Sequence, residues 1–287
     1  MIEIQDLKKS FGTKDVLNGV SLQVGDGMIY GLVGRNGAGK TTLITTVAGL
    51  QSPTAGQCRV NGKPVIPHQT GTTVGYLPDV PAYFDFLTVG EYLDFLFIRP
   101  NPQRRKYLLE LVQLSPDTKI RTMSRGMKQR LGIAAVLAND PDAVLLDEPT
   151  SALDPQGRYE LSVILRELKA QGKSVILSTH ILTDMEKLCD EVGFLNRGVI
   201  VKSLRPKDMM DSDSLRVTFA QPVSPDALAA PGLEITPEEG YAFSVRLSPD
   251  PGAQQRLFAR LAELRVPVTS IHTQQQSLDA IFQEVCL

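Results

Sequence analysis

Gly34-Arg35-Asn36-Gly37-Ala38-Gly39-Lys40-Thr41-Thr42 decides how the rest of the chain is read. It satisfies the spacing G-x-x-x-x-G-K-[ST] without a gap. Before it lies an apolar run of strand length, Met28 to Val33. After it, Leu43, Ile44, Val47 and Leu50 recur at helical spacing. A strand, a glycine turn and a helix start thus follow one another in that order. Glycines let successive backbone N–H groups turn inward toward phosphate oxygens, and the helix N-terminus adds positive partial charge at the same spot. Lys40 would reach the β- and γ-phosphates of a nucleotide, and the Thr41 hydroxyl would take a position on Mg²⁺. Thr42 could hydrogen-bond the α-phosphate. A turn that merely links a strand to a helix needs neither the lysine nor the hydroxyl.

The whole chain sets outer bounds. Its 287 residues suit one or two domains, and 42% apolar content supplies a full core. A formal net charge of −2 gives no sign of a nucleic-acid binder. Cys58, Cys189 and Cys286 lie far apart, which suggests reduced thiols and neither a disulfide framework nor a metal site. No uninterrupted apolar stretch approaches the ~20 residues that span a bilayer, and Met-Ile-Glu-Ile-Gln is not expected to be a signal peptide. Work at a membrane would need spanning helices from another chain.

Outward from the glycine loop, strands and helices alternate. Ile2, Ile4 and Leu7 alternate with polar residues as in a half-buried strand. Phe11 follows in a turn, as either an aromatic stacked on a base or a loop anchor. Val20 to Val24, Gln57 to Val60 and Thr73 to Leu77 read as strands, with a turn at Asn61-Gly62-Lys63-Pro64. Pro81, Tyr83, Phe84 and Phe86 form an aromatic loop. Thr88 and Glu91 then make a capping box, with Leu87 and Tyr92 at the staple positions. Helices through about Phe97, from about Gln103 to Leu114 and from Arg125 to Ala138 give a helical insertion over about residues 85–140. Ala143 to Leu146 is a short apolar strand ended by Asp147-Glu148-Pro149. Asp154-Pro155 opens a helix that Gly172 closes. Ser174 to Leu177 is a further strand, and Val192 to Leu195 and Val199 to Val201 form a hairpin. Alternation of this kind gives a largely parallel sheet.

Composition shifts at Asp211-Ser212-Asp213-Ser214. Beyond it, Leu215 to Phe219, Tyr241 to Leu247, a helix from Asp250 to Leu264, a strand at Val266 to Ile271 and a helix at Ser277 to Val285 suggest a small α+β domain. Its size is about 75 residues, near the lower limit for independent folding.

A phosphate loop needs an acidic partner for its metal. Asp147, at the end of an apolar strand, fits that role, and Glu148 is placed to polarise a water attacking the γ-phosphorus. Without the matched loop the pair would read as an ordinary acidic strand end.

With these residues in hand, the chain resembles the nucleotide-binding subunit of an ATP-binding cassette (ABC) transporter over about residues 1–210. The most specific element is Met123-Ser124-Arg125-Gly126-Met127-Lys128-Gln129-Arg130, similar to the family signature L-S-G-G-Q. Ser124 and Gly126 are kept; Arg125 and Met127 depart from it, and the variant resembles that of drug and polysaccharide exporter subunits. The resemblance implies that Ser124 and Gly126 contact the γ-phosphate bound on an opposite subunit. It implies that Ser151-Ala152-Leu153-Asp154 links the two sites, while Asp154 also suits simple helix capping. His180 would be the switch histidine that orients Glu148 and water, and Phe11 would stack on adenine. Asp79 stands where the family has glutamine, and metal ligand and plain loop residue both remain open for it. The loop at Tyr83 to Phe86 would face a groove for a short helix of a membrane partner, unless it packs internally.

The fold so implied is an α/β P-loop NTPase (ABC ATPase) with a mainly parallel core sheet, an antiparallel β subdomain and a helical subdomain. Its ATPase domain would span residues 1–210, followed by a C-terminal accessory domain over 211–287. ATP and Mg²⁺ are the implied cofactors. The implied partners are a second copy, in an ATP-sandwich homodimer, and a polytopic permease, with no nucleic acid. The implied location is cytoplasmic, peripheral on the inner face of the membrane. The alternatives are a soluble non-transport ABC ATPase and an ATP-sensing regulator. Only residues 43–122 separate loop from signature, without sustained heptads, and Glu148 and His180 are both present.

Overall fold

Short apolar runs bounded by turns dominate the first two-thirds of the chain, and they form two sheets. A computed structural model describes every residue except 69–72, 152, 211–213, 249, 251, 274–276 and 287. The chain divides into two compact units, Met1–Pro206 with Ile281–Leu287, and Lys207–Ala280.

In the first unit, strands β1 (Ile2–Phe11), β2 (Lys14–Val24) and β3 (Ile29–Val33) lead to helix α1 (Lys40–Val47). Strands β4 (Ala55–Val60), β5 (Lys63–Pro64) and β6 (Val74–Leu77) follow. Helices α2 (Val89–Leu96), α3 (Pro102–Val112) and α4 (Arg125–Val136) come next. The chain then runs through β7 (Ala143–Leu146), α5 (Pro155–Ala170), β8 (Ser174–Ser178), α6 (Leu182–Leu188), β9 (Glu191–Asn196) and β10 (Val199–Leu204). One sheet is antiparallel, in the order β2-β1-β4-β5. The other has the order β10-β9-β3-β8-β7-β6 and is parallel from β9 to β6. The second strand of the hairpin at Lys63–Pro64 had been expected as turn; only Asn61 and Gly62 turn, both with positive φ.

A single apolar cluster joins the two sheets. Ile2, Ile4, Leu7, Val20 and Val60 meet Tyr30, Leu32, Leu145 and Ile176, with Leu43, Ile44 and Val47 of α1 among them. Buried apolar area of this kind, at ~25 cal/mol per Å², is the main stabilising contribution. The expected helical face of α1 is real but shorter than its spacing suggested. The helix ends at Val47, and Leu50 lies beyond it, 53% exposed.

Helices α2 to α4 make the expected insertion between β6 and β7. The capping box forms as expected: the Thr88 hydroxyl accepts from Glu91 N, and Thr88 N donates to the Glu91 carboxylate at 2.8 Å. The aromatic loop splits two ways. Tyr83 turns inward and donates to the Lys128 carbonyl at 2.5 Å, whereas Phe84 and Phe86 remain exposed. Helix α6, seven residues without a side-chain cap, was not anticipated.

The second unit runs β11 (Ser214–Phe219), α7 (Pro225–Leu228), β12 (Leu233–Pro237), β13 (Ala242–Leu247), α8 (Ala253–Glu263) and β14 (Val268–Thr273). Its sheet order β12-β13-β11-β14, wholly antiparallel, is that of a βαββαβ ferredoxin-like fold. Val217, Phe219, Phe243, Val245, Leu257 and Leu261 form its core. Helix α7 and strand β12 were missing from the sequence expectation. Helix α9 (Leu278–Cys286) closes the chain. Its residues from Ile281 group with the first unit, although residues 211–287 had been expected to form one domain. The expected boundary at residues 211–213 lies outside the described residues.

Asp140 ties the helical insertion to the sheet. It accepts from Lys173 Nζ at 2.7 Å and Arg104 Nη2 at 3.0 Å, and the lysine hydrogen bond holds its carboxyl below the usual range. The Asp140 side chain is largely exposed, so the ion pairs contribute only ~0.5–1 kcal/mol. A lowered carboxyl pKa stabilises above the unfolded value and is lost as pH falls through the folded one. Asp140→Asn should therefore lower the first unit's urea midpoint at pH 7, and the gap to the parent should narrow as pH falls below the free-carboxyl value of about 3.9. A gap unchanged across that range would contradict this assignment.

Candidate functional site

Three neighbouring parallel strands end side by side. Leu32 of β3 pairs with Ser178 of β8, and Leu146 of β7 pairs with Leu177. The residues that follow each strand therefore emerge along one edge, where open α/β sheets bind ligands. From β3 comes the loop 34–39, from β7 come Asp147 and Glu148, and from β8 come Thr179 and His180.

The loop is held tightly at its start. A Cβ at Gly34 would fall 2.4 Å from the Leu195 carbonyl oxygen, so only glycine fits. Gly39 caps α1 at φ +109°, a conformation that side chains rarely adopt. Lys40 is buried and its Nζ donates to the Gly34 carbonyl at 2.7 Å, folding the side chain back along the loop. The turn between β9 and β10 braces the other side, with Gly198 N donating to the Ala38 carbonyl and Asn18 Nδ2 to that of Arg197.

The acidic pair is set by Ser178. Its hydroxyl donates to Asp147 Oδ1 at 2.6 Å and accepts from Glu148 N at 3.0 Å. Asp147 is only 2% exposed. Glu148 has φ +50°, a left-handed backbone that costs free energy for a non-glycine residue and is common at functional sites. His180 Nδ1 lies 2.8 Å from Glu148 Oε2, and His180 N also donates to that oxygen. Against a carboxylate Nδ1 must be the donor, which fixes the ring tautomer. Tyr76 stands close behind. Burial first, then the charges of Asp147 and Asp79, push its hydroxyl up to about 12.

A cavity of about 660 Å³ opens over this edge. Asn36, Gly37, Ala38, Gly39, Lys40, Thr41 and Thr42 line it together with Asp79, Asp147 and Glu148. Asp79 also accepts from Ser151 Oγ at 2.8 Å, so the shorter acid is held in the wall by a protein partner. Gly34, Arg35 and His180 line a separate, smaller cavity behind the loop. Phe11 is not among the walls of either; it is 48% exposed, with Lys9 Nζ 4.7 Å from its ring centroid. Ser124 and Gly126 stand at the start of α4, where the Ser124 hydroxyl accepts from Met127 N, and line neither cavity. Asp154 caps α5 through Gly157 N at 2.7 Å; Ala152, between it and Ser151, lies outside the described residues. Sequence reading missed the wall residues Lys14, Val16, Asn18 and Arg197 and the bridging Ser178. The hairpin turn at Asn196 to Gly198 was legible, but not its docking onto the loop.

The walls suit a polyanion with a hard cation. Lys40 and a run of backbone N–H groups face Thr41, Asp79 and Asp147, which are oxygen donors. Among the described residues no group of three or more His, Cys, Asp or Glu side chains could hold a metal ion. No helix among the described residues is long and apolar enough to cross a membrane.

Comparison with known proteins agrees with this chemistry. The family model described as ABC transporter matches residues 17–151. An uncharacterized ABC transporter ATP-binding protein of Synechocystis is 41% identical over 207 residues. The match takes in 69% of this chain but only 58% of that protein's length. The Nod factor export ATP-binding protein I of Ralstonia nicotianae is 36% identical over 220 residues, covering 73% of this chain and 68% of that one. Among solved structures, an ATP binding subunit of an ABC transporter superposes with a TM-score of 0.65 at 28% identity. It covers 73% of this chain and 91% of its own.

Ser178→Ala would leave Asp147 Oδ1 and Glu148 N without their shared partner in a buried setting. The expected cost is roughly 1–3 kcal/mol in the unfolding free energy of the first unit. An unfolding curve superimposable on the parent's would remove Ser178 from this role.

Proposed function

The chain belongs to the ABC transporter family, and from that premise we propose that it is an ATP-binding and ATP-hydrolysing subunit that closes on a second copy of itself around ATP and drives export through a separate membrane-spanning permease. The observation that carries this reading is the single cavity in which Lys40, Thr41, Asp147 and Glu148 meet.

Each residue then has a role. Backbone N–H groups from Asn36 to Thr42 cradle the phosphates, and Lys40 leaves its carbonyl partners to neutralise the β- and γ-phosphates. Thr41 and Asp147 would hold Mg²⁺, with Asp79 beside them; the ion supplies charge neutralisation at the phosphates. Glu148 takes a hydrogen bond from the attacking water and turns its lone pair toward the γ-phosphorus. His180 holds the carboxylate in place through its Nδ1–H and its backbone N–H. Catalysis so built is positioning plus electrostatic stabilisation, without a covalent intermediate.

The place of Ser124 and Gly126 supports a second copy. Ser124 and Gly126 stand at a helix start, a place suited to an anion, that lies outside the walls. Brought across from a partner copy, they would seal the γ-phosphate side. Binding then closes the pair and hydrolysis reopens it.

The exposed aromatics support docking to a permease. Phe84, Phe86, Phe95 and Ile98 are exposed near a cavity of about 500 Å³ between β6 and α4, and Phe84 packs edge-on against Phe95 at 5.6 Å. An apolar patch of this sort marks an interaction surface. The expected location is the cytoplasmic face of the membrane, held there by the permease. Export, as opposed to uptake, is supported by the signature variant and by the named role of the Ralstonia relative.

Glu148→Gln keeps shape and hydrogen bonding but removes the charge that orients water. Steady-state ATPase assays should show kcat reduced by about 10²-fold or more, with ATP affinity near the parent's. A variant that turned over at the parent's rate would remove Glu148 from the mechanism.

A further inference from the structure

The last residues of the chain return to the back of the phosphate loop. Ile281 and Cys286 of α9 are buried, and Phe282 is half-buried. Phe282 shares a cavity of about 380 Å³ with Gly34, Arg35, Asn36 and His180. The C-terminal end of the helix is tied down by a side chain of β9: Asn196 Nδ2 donates to the Val285 carbonyl at 3.0 Å. That carbonyl is one of the last four of α9, which no backbone N–H of the helix can satisfy. The tether stands next to the tightest point of the loop, because Leu195 is the residue whose carbonyl excludes a side chain at Gly34. Arg35 is near enough to Cys286 for its charge to oppose the rise that burial gives the thiol.

From this geometry we propose that the end of α9 is a positioning element for hydrolysis, with Phe282 bracing Gly34–Asn36 from behind and keeping His180 against Glu148. The proposal rests on the ATPase reading above and extends it to residues remote in sequence. The loop carbonyls that hold Lys40 belong to Gly34 and Arg35, so a shift of this half-loop moves the lysine as well. His180 holds Glu148 by two contacts to one oxygen and lines the same cavity as Phe282. Removing the ring would therefore disturb both the binding of phosphate and the orientation of the base. Phe282 and Asn196 are positioning residues; neither lines the cavity that would hold nucleotide.

The test is steady-state kinetics with MgATP on the full chain, for the parent, Phe282→Ala, Phe282→Leu and Asn196→Ala. A merely structural role would reduce the folded fraction and lower kcat at unchanged KM. The proposal expects Phe282→Ala to raise KM for MgATP several-fold and to lower kcat/KM by about 10- to 100-fold, the scale of a small misplacement at a reacting centre. Phe282→Leu, which refills most of the space, should recover the larger part, and Asn196→Ala should move KM in the same direction. If Phe282→Ala and Asn196→Ala keep the parent's KM, with kcat changed only in proportion to folded protein, the positioning role is wrong while the ATPase reading stands. If the parent neither binds nor hydrolyses MgATP, the ATPase reading itself falls and takes this proposal with it.

Discussion

The structure depends on three parallel strands ending level. With β3, β8 and β7 in register, the residues after Val33, Ser178 and Leu146 share one edge. All three strands are buried along their whole length, so sliding one past its neighbour would draw its polar flanking residues into the apolar core. Packing energy thereby fixes the spacing between phosphate loop, acidic pair and histidine. Ser178 adds a local bond that ties Asp147 and Glu148 to the neighbouring strand. The chemistry is set by the sheet; the loops need only carry the right residues.

Local patterns were legible wherever short-range physics decides. The glycine loop, the Thr88–Glu91 capping box, the Ala143–Leu146 strand and the Asp154 cap each follow from spacing within a few residues, and the structure has them. Elements with weak local signals were missed. Helix α6 is short and lacks a side-chain cap, and β12 has alternating exposure with a proline at its end. Leu50 fitted a helical pattern, but the helix ends at Val47 and Gly49, with φ +74°, turns the chain before Leu50 is reached.

The candidate site divides along the same line. Lys40, Thr41, Asp147 and Glu148 sit beside local motifs, and the fold gathers them into one cavity. Ser178, Asn18 and Arg197 take part only through tertiary contacts, so no spacing announces them. The approach of Phe282 to Gly34 joins residues at opposite ends of the chain, which sequence pattern alone does not connect. Phe11 and the Ser124–Gly126 pair mark the other limit. Their motifs are readable, yet the cavity of a single chain does not include them.

In the proposed dimer, Ser124 and Gly126 act across the interface. Two partial sites facing each other would each supply the helix start the other lacks, with the γ-phosphate as the bond between them. Sedimentation velocity of the Glu148→Gln chain tests this most directly, because blocked turnover keeps ATP in place. The account expects a monomer without nucleotide and a species of twice the mass with saturating MgATP, reverting when Lys40 is also changed to alanine. A protein that stays monomeric with ATP bound at saturation would contradict it.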